Sequence, residues 1–240
     1  MFKRKSTILA MVTGLFLLCS CNGQTKNDSQ DYLYRKGDPN GIGKWYMGRE
    51  IAYVMGYQGM NWLERPEREE EENTATLLKN MDIQPSDHIA DIGAGSGYHV
   101  FKMAPMAHQG TIYAVDIQEE MLAAIQGKMD AKNVQNIKIV KGGEQSVNLP
   151  ENSVDKVLMV DVYHEFNNPK EMIASIKKAL KPDGKLFLIE YRGEDSSVPI
   201  KALHKMTEAQ AVKEMNAAGF TLERNDDNLP WQHCMVFIKK

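Results

Sequence analysis

Ten residues, His88-Ile89-Ala90-Asp91-Ile92-Gly93-Ala94-Gly95-Ser96-Gly97, run from an apolar strand into a glycine-rich turn. Glycines at such a turn let the backbone take positive φ and let a ligand lie directly against the main chain. Tyr98 to Ala107 reads as a helix, whose first N–H groups would face that ligand. A second apolar run, Thr111 to Val115, ends in Asp116, nineteen positions past Gly97. A carboxylate at that place suits the ribose hydroxyls of a nucleotide. A dinucleotide site would want a further glycine where Tyr98 stands, and the pattern here is G-x-G-x-G.

Groups able to handle a proton follow at two later strand ends. Tyr163-His164-Glu165 comes after the apolar run Val157 to Asp161, and Glu190-Tyr191-Arg192 closes the run that starts at Leu186. Ligands of open α/β sheets bind at such carboxyl ends. His164 is expected to act as a general base, oriented by Glu165 or Glu190, with Tyr191 as a further catalytic candidate. His204 and His233 could join His164 and Glu190 around a metal. No pair has the i, i+4 spacing of helical ligands, so no metal is expected. His88, His99 and His108 are expected to be structural.

With Asp91 just ahead of it, the G-x-G-x-G run resembles motif I of the class I S-adenosylmethionine-dependent methyltransferases. Gly142 to Asp155 resembles the family's GDAEDLPFPDNSFD stretch without a gap. It departs at Gly143, where the family often has an acid near the adenine; Glu144 is the neighbouring acid. Lys181-Pro182-Asp183-Gly184-Lys185 resembles the family's LKPGG signature before its fifth strand. The resemblance covers about Gln84 to Lys240 and implies S-adenosyl-L-methionine as cofactor. Asp91, Gly93, Ala94, Gly95 and Gly97 would hold the methionine end and Asp116 the ribose. Ile117, Glu144 and Asp161 would flank the adenine or the cofactor cleft. A cover ahead of motif I is also implied, with Trp45, Tyr46, Tyr53, Trp62 and Tyr163 lining a pocket for a small-molecule methyl acceptor. Packing of the cover alone would explain the first four aromatics equally well. Two other readings stay open: a non-catalytic binding module on the same fold, and a nicotinamide-dependent oxidoreductase.

These residues need a frame. Further strands read at Asn136–Val140 and Thr221–Arg224, with Cys234–Ile238 closing an antiparallel pair. A helix opens at Asn168-Pro169 and turns Met172, Ile173, Ile176 and Leu180 to one face. A second begins at the capping box Thr207 to Gln210, buries Ala211, Met215 and Ala218, and stops at Gly219. The alternation predicts an α/β, Rossmann-like, doubly wound and mostly parallel seven-stranded sheet with helices on both faces. A short N-terminal helical extension would precede it. There Arg49 to Met55 is expected as a short helix. Pro66 opens another, whose Glu67 and Glu69 to Glu72 form a solvated start rather than a metal site.

The chain has 240 residues, 29 basic against 32 acidic, and a formal net charge of −3. Without a long basic run, nucleic acid is not an expected partner. The N-terminus differs in kind. Lys3-Arg4-Lys5 precedes an apolar stretch, Ile8 to Leu18, too short to span a bilayer comfortably. Leu18-Cys19-Ser20-Cys21 resembles a bacterial lipobox, with Cys21 as the lipidated residue. The expected organisation is a signal peptide over 1–20, a tether over 21–36, an aromatic-rich cover over 37–83 and the main domain over 84–240. The order from Gly37 to Glu50 also resembles uncharacterised bacterial envelope methyltransferase-like proteins. The expected location is the cell envelope, anchored to membrane by lipid and facing the periplasm, or the cytoplasm if the leader is not a signal. Cys234 would be the only unmodified cysteine, so no disulfide framework is expected.

Overall fold

A computed structural model describes Met1 and residues 31–240; the expected signal peptide, Cys21 and most of the tether lie outside them. The chain first forms three short strands, β1 (Tyr32–Tyr34), β2 (Gly41–Tyr46) and β3 (Arg49–Ala52), paired antiparallel in the order β1-β2-β3. Three short helices follow: α1 (Met60–Leu63), α2 (Arg68–Glu72) and α3 (Thr74–Asn80). The main sheet then alternates β4 (His88–Ile92), α4 (Tyr98–Met103), β5 (Thr111–Asp116), α5 (Glu119–Lys132), β6 (Ile137–Lys141), β7 (Val154–Val160), α6 (Pro169–Ala179) and β8 (Leu180–Tyr191). It closes with α7 (Glu208–Ala217), β9 (Phe220–Asn225) and β10 (Gln232–Lys239).

The seven strands lie in the order β6-β5-β4-β7-β8-β10-β9. The first five are parallel, and β10 runs antiparallel to both its neighbours. The strands are apolar on both faces because both are covered. Along β8, Leu186 and Leu188 join one buried cluster with Met172, Ile176 and Met215 of α6 and α7. Phe187 and Ile189, pointing the other way, join Leu77, Val100, Met103 and Ile125 of α3, α4 and α5. Thr207 caps α7 as the capping box predicts, its hydroxyl accepting from Gln210 N at 3.2 Å. Pro169 takes the first turn of α6.

The extension departs from the expectation of helix. Arg49 to Ala52 is strand β3, in register Trp45↔Glu50 and Tyr46↔Arg49 with β2. Met47 (φ 48°) and Gly48 (φ 104°) make the turn between them, and positive φ at both central positions suits the twist of a two-residue hairpin. Tyr32–Tyr34, expected as tether, is β1. The helix after Pro66 breaks at Asn73 (φ 53°), whose side chain caps α3 by accepting from Thr76 N at 3.1 Å. Lys181 to Gly184 bulge out between the pairs Val154↔Leu180 and Lys156↔Lys185 rather than preceding the strand.

Buried polar ties fasten the small sheet to the main one. Arg49 Nε sits 2.7 Å from Glu214 Oε1 of α7, and its Nη1 donates to the His164 carbonyl at 3.1 Å. Lys44 Nζ donates to Asn168 Oδ1 at 2.9 Å. Among the described residues, no helix is long and apolar enough to cross a membrane.

Candidate active site

The carboxyl ends of β4, β5, β7 and β8 open into a cleft of about 820 Å³ roofed by the extension. Gly93 (φ 73°) and Gly95 (φ 53°) form part of its wall. A Cβ at Gly93 would lie 2.4 Å from Val162 Cγ2, and one at Gly95 2.6 Å from Leu63 Cδ1. With positive φ at both, a residue with a side chain would be strained at either place. Asp116 ends β5 with both oxygens fixed: Gly95 N donates to Oδ2 at 2.9 Å and Gln118 N to Oδ1 at 2.8 Å. Burial raises the Asp116 pKa above its ordinary value, and those backbone N–H groups offset part of the rise.

Ile117, Glu144 and Asp161 also line the cleft, as does Gly143. Asp161 holds a left-handed backbone (φ 50°), a costly conformation for a residue with a side chain. Its Oδ2 accepts from Gln232 Nε2 at 2.6 Å, while Oδ1 is buried without a partner. Burial, reinforced by Glu72 and Glu190, raises its pKa well above the carboxylate range. Three residues expected at the cofactor stand back from the cleft wall. Ala94 is buried in the core. Gly97 (φ 82°) starts α4, where a Cβ would press on Ile125 and Phe101 at 3.0 Å, so it serves helix packing. Asp91 is 2% exposed within β4, with Oδ2 lacking any hydrogen-bond partner. Burial pushes its carboxyl up to about 7.

His164 and Glu165 lie on a 3-10 turn, Tyr163–Glu165, just past β7. His164 Nδ1 donates to Glu190 Oε2 at 2.6 Å, and Glu190 also accepts from Tyr163 N at 2.9 Å. Burial opposes charge on this ring, but Glu190 and Glu165 outweigh it and carry its pKa up to about 10. The expected general base is therefore held protonated at neutral pH by the same carboxylates that orient it. Glu165 is opposed by burial too, yet His164, His204 and the Met55 N–H hold it down at about 2. His204 reaches His164 from the turn Ala202–His204, with His204 Nδ1 3.1 Å from His164 Nε2. His164, Glu165 and His204 thereby bring one potential ligand atom each within 4.8 Å of one another, a grouping that sequence spacing did not show. His233 stays apart, on Glu194 at 2.9 Å and Asn225 at 3.1 Å. Tyr191 lines the cleft, but its hydroxyl donates to Glu72 Oε1 at 2.9 Å, and burial raises its pKa further from any role as a base.

Of the expected pocket aromatics, Tyr53 and Trp62 line the cleft. Trp45, Tyr46 and Tyr163 do not. Trp45 packs under the Arg35 guanidinium at 3.9 Å. Tyr46, on the other face of β2, packs on Tyr32 with centroids 5.4 Å apart. Tyr163 is 1% exposed, its hydroxyl donating to Glu214 at 2.6 Å. Arg65, Arg68 and Glu72 are cleft residues that sequence reasoning missed. Glu72, read as solvated, is buried between Arg65 Nη2 and Arg68 Nε, each at 2.7 Å. The Arg68–Glu72 spacing of four was the available signal. Gln118 latches the roof: Tyr57 N donates to its Oε1 at 2.7 Å, and its Nε2 donates to Met55 O at 3.0 Å.

Residues 90–188 match the family described as methyltransferase domain. The uncharacterized methyltransferase YcgJ of Bacillus subtilis strain 168 is 22% identical over 166 residues, 68% of this chain and 65% of that protein. YdaC of the same strain, also an uncharacterized methyltransferase, is 28% identical over 143 residues, 60% of this chain and 76% of its own. The match thus spans slightly under two thirds of YcgJ. A SAM-dependent methyltransferase from Aquifex aeolicus shares the fold with a TM-score of 0.72 at 23% identity, over 77% of this chain and 98% of that one. The chain thus shares the Rossmann-like α/β fold of that methyltransferase, and its residues 90–188 are similar to the methyltransferase domain family.

Proposed function

We propose that the protein transfers a methyl group from S-adenosyl-L-methionine to a small-molecule acceptor held under the aromatic roof. The observation that carries this reading is Asp116: a buried carboxylate fixed by two backbone N–H groups beside the bare backbone of Gly93 and Gly95. The residues present fit the group. Asp161, in the cleft wall, leaves a buried carboxylate oxygen without a partner, which favours a ligand bearing hydroxyl groups. The roof guanidiniums, Arg65 and Arg68, are already paired to Glu72 and form no free phosphate cradle.

When bound, the cofactor supplies an electrophilic methyl on a sulfonium. The protein's task is then largely positioning. Asp116 binds ribose hydroxyls, Gly93 and Gly95 admit the ligand against the backbone, and Ile117 and Glu144 flank its base. Tyr53, Met55, Trp62 and Phe166 exclude water and hold an acceptor with apolar surface. His164 and Glu165 line the cleft beside the acceptor and contribute its polar wall.

Calorimetric titration with S-adenosylmethionine and S-adenosylhomocysteine tests the reading, followed by tritium transfer into extract. One site per chain for both ligands, and a labelled product, are expected. No binding of either at millimolar concentration refutes it.

We further propose that Cys21 carries lipid and anchors the chain to a membrane of the cell envelope. The basic residues 3–5, the length of the apolar run and the cysteine position support this. Cys21→Ser should abolish fatty-acid labelling; labelling at the wild-type level overturns the anchor.

A further inference from the structure

Three potential donor atoms from two separate turns converge at the cleft: His164 Nε2, His204 Nδ1 and Glu165 Oε1. Their separations are 3.1 Å between the two nitrogens, 3.4 Å from His204 Nδ1 to the carboxylate oxygen and 3.7 Å from His164 Nε2 to it. A tetrahedral ion with bonds of about 2.0–2.1 Å sets its donors about 3.3–3.4 Å apart. The triangle brackets that spacing, and an ion there takes the place of the proton that His164 Nε2 carries in the metal-free chain. We propose that these three atoms form a site for a divalent transition-metal ion of the zinc class, with a fourth position open to the cleft.

The surroundings are those a metal ligand set requires. A ligating histidine ordinarily donates its other ring N–H to a carboxylate, which fixes the ring and its tautomer. His164 does so through Nδ1 to Glu190 Oε2, on a side chain with no solvent exposure. Glu165 is held likewise: Met55 N donates to Oε2 at 3.1 Å and leaves Oε1 for the ion. Two nitrogens and one oxygen suit zinc and its neighbours better than magnesium or calcium, which prefer all-oxygen shells. Three protein ligands with one open position are the pattern of a substrate-binding metal rather than a structural one. The open position would take an oxygen donor of the acceptor. That last statement rests on the methyl-transfer reading; the metal site itself does not.

The test uses the full chain, stripped with a chelator and titrated with Zn2+ against a chromophoric competitor, then with Co2+ as a spectroscopic probe. One ion per chain is expected, with the strong visible absorption of four-coordinate cobalt. His204→Ala changes a partly exposed turn residue and should fold; it should weaken Zn2+ binding by about 100-fold or more and abolish the cobalt band. Glu165→Gln should act the same way, and His233→Ala, remote from the site, should leave affinity unchanged. A wild-type chain that takes up no ion, or a His204→Ala chain that binds as tightly as wild type, overturns the proposal. Donor binding is titrated separately. Its failure with metal uptake intact refutes methyl transfer alone, and the reverse result refutes the metal alone.

Discussion

Replacing Asp91 with asparagine should change how the stability of the ligand-free fold depends on pH. The wild-type carboxyl is buried, and burial carries its pKa from 3.8 to about 7. The native state therefore keeps a proton that the unfolded chain releases. Its contribution to stability is fully present below about pH 4 and is lost as pH rises through about 7. One unit of pKa difference corresponds to about 1.4 kcal/mol, so the loss between pH 5 and pH 8 comes to about 2–3 kcal/mol. Asparagine cannot titrate and should remove this component. Urea unfolding followed by tryptophan fluorescence at the two pH values, in both proteins, gives the double difference directly. A value under about 0.5 kcal/mol, or wild-type stability gained from this group as pH rises, refutes the reasoning.

Asp116→Ala should weaken donor binding by about 1–3 kcal/mol through lost charge-assisted hydrogen bonds, and unchanged affinity by calorimetry removes the ribose role. Gly97→Ala should destabilise the fold by about 1–2 kcal/mol, because alanine must adopt positive φ while pressing on Ile125 and Phe101; an unshifted urea midpoint contradicts this. Arg49→Ala leaves Glu214, whose side chain has no solvent exposure, without its buried countercharge and should cost about 3–5 kcal/mol. A loss under about 1 kcal/mol would show that the small sheet does not depend on that pair.

The main sheet was legible because its signals are local. Each strand is a short apolar run, the glycine turn after β4 announces a nucleotide-scale bend, and Thr207 and Pro169 mark helix starts. The hairpin of β2 and β3 was not, since methionine holds the first turn position where asparagine or aspartate usually signals positive φ. Its one clue was Gly48. Glu72 looked solvated within a run of acids because its burial comes from Arg65, Arg68 and Tyr191, the last 119 residues away. Trp45 and Tyr46 show the cost of counting aromatics without their partners: the pleat of β2 sends them to opposite faces, and neither reaches the cleft. His204 and His164 sit 40 residues apart on different turns, so no spacing rule could join them. The protonated state of His164 depends on Glu190, whose position at the end of β8 was readable but whose hydrogen bond was not.

The claim on which the account stands is that the crevice between β4 and β5 holds an adenosyl group by its ribose. A crystal structure of the protein saturated with S-adenosylhomocysteine tests it most directly. Both ribose hydroxyls should lie within hydrogen-bond distance of the Asp116 carboxylate, with the ligand against the backbone of Gly93 and Gly95. Ligand density elsewhere, or an Asp116 that makes no contact with a bound ribose, would contradict it.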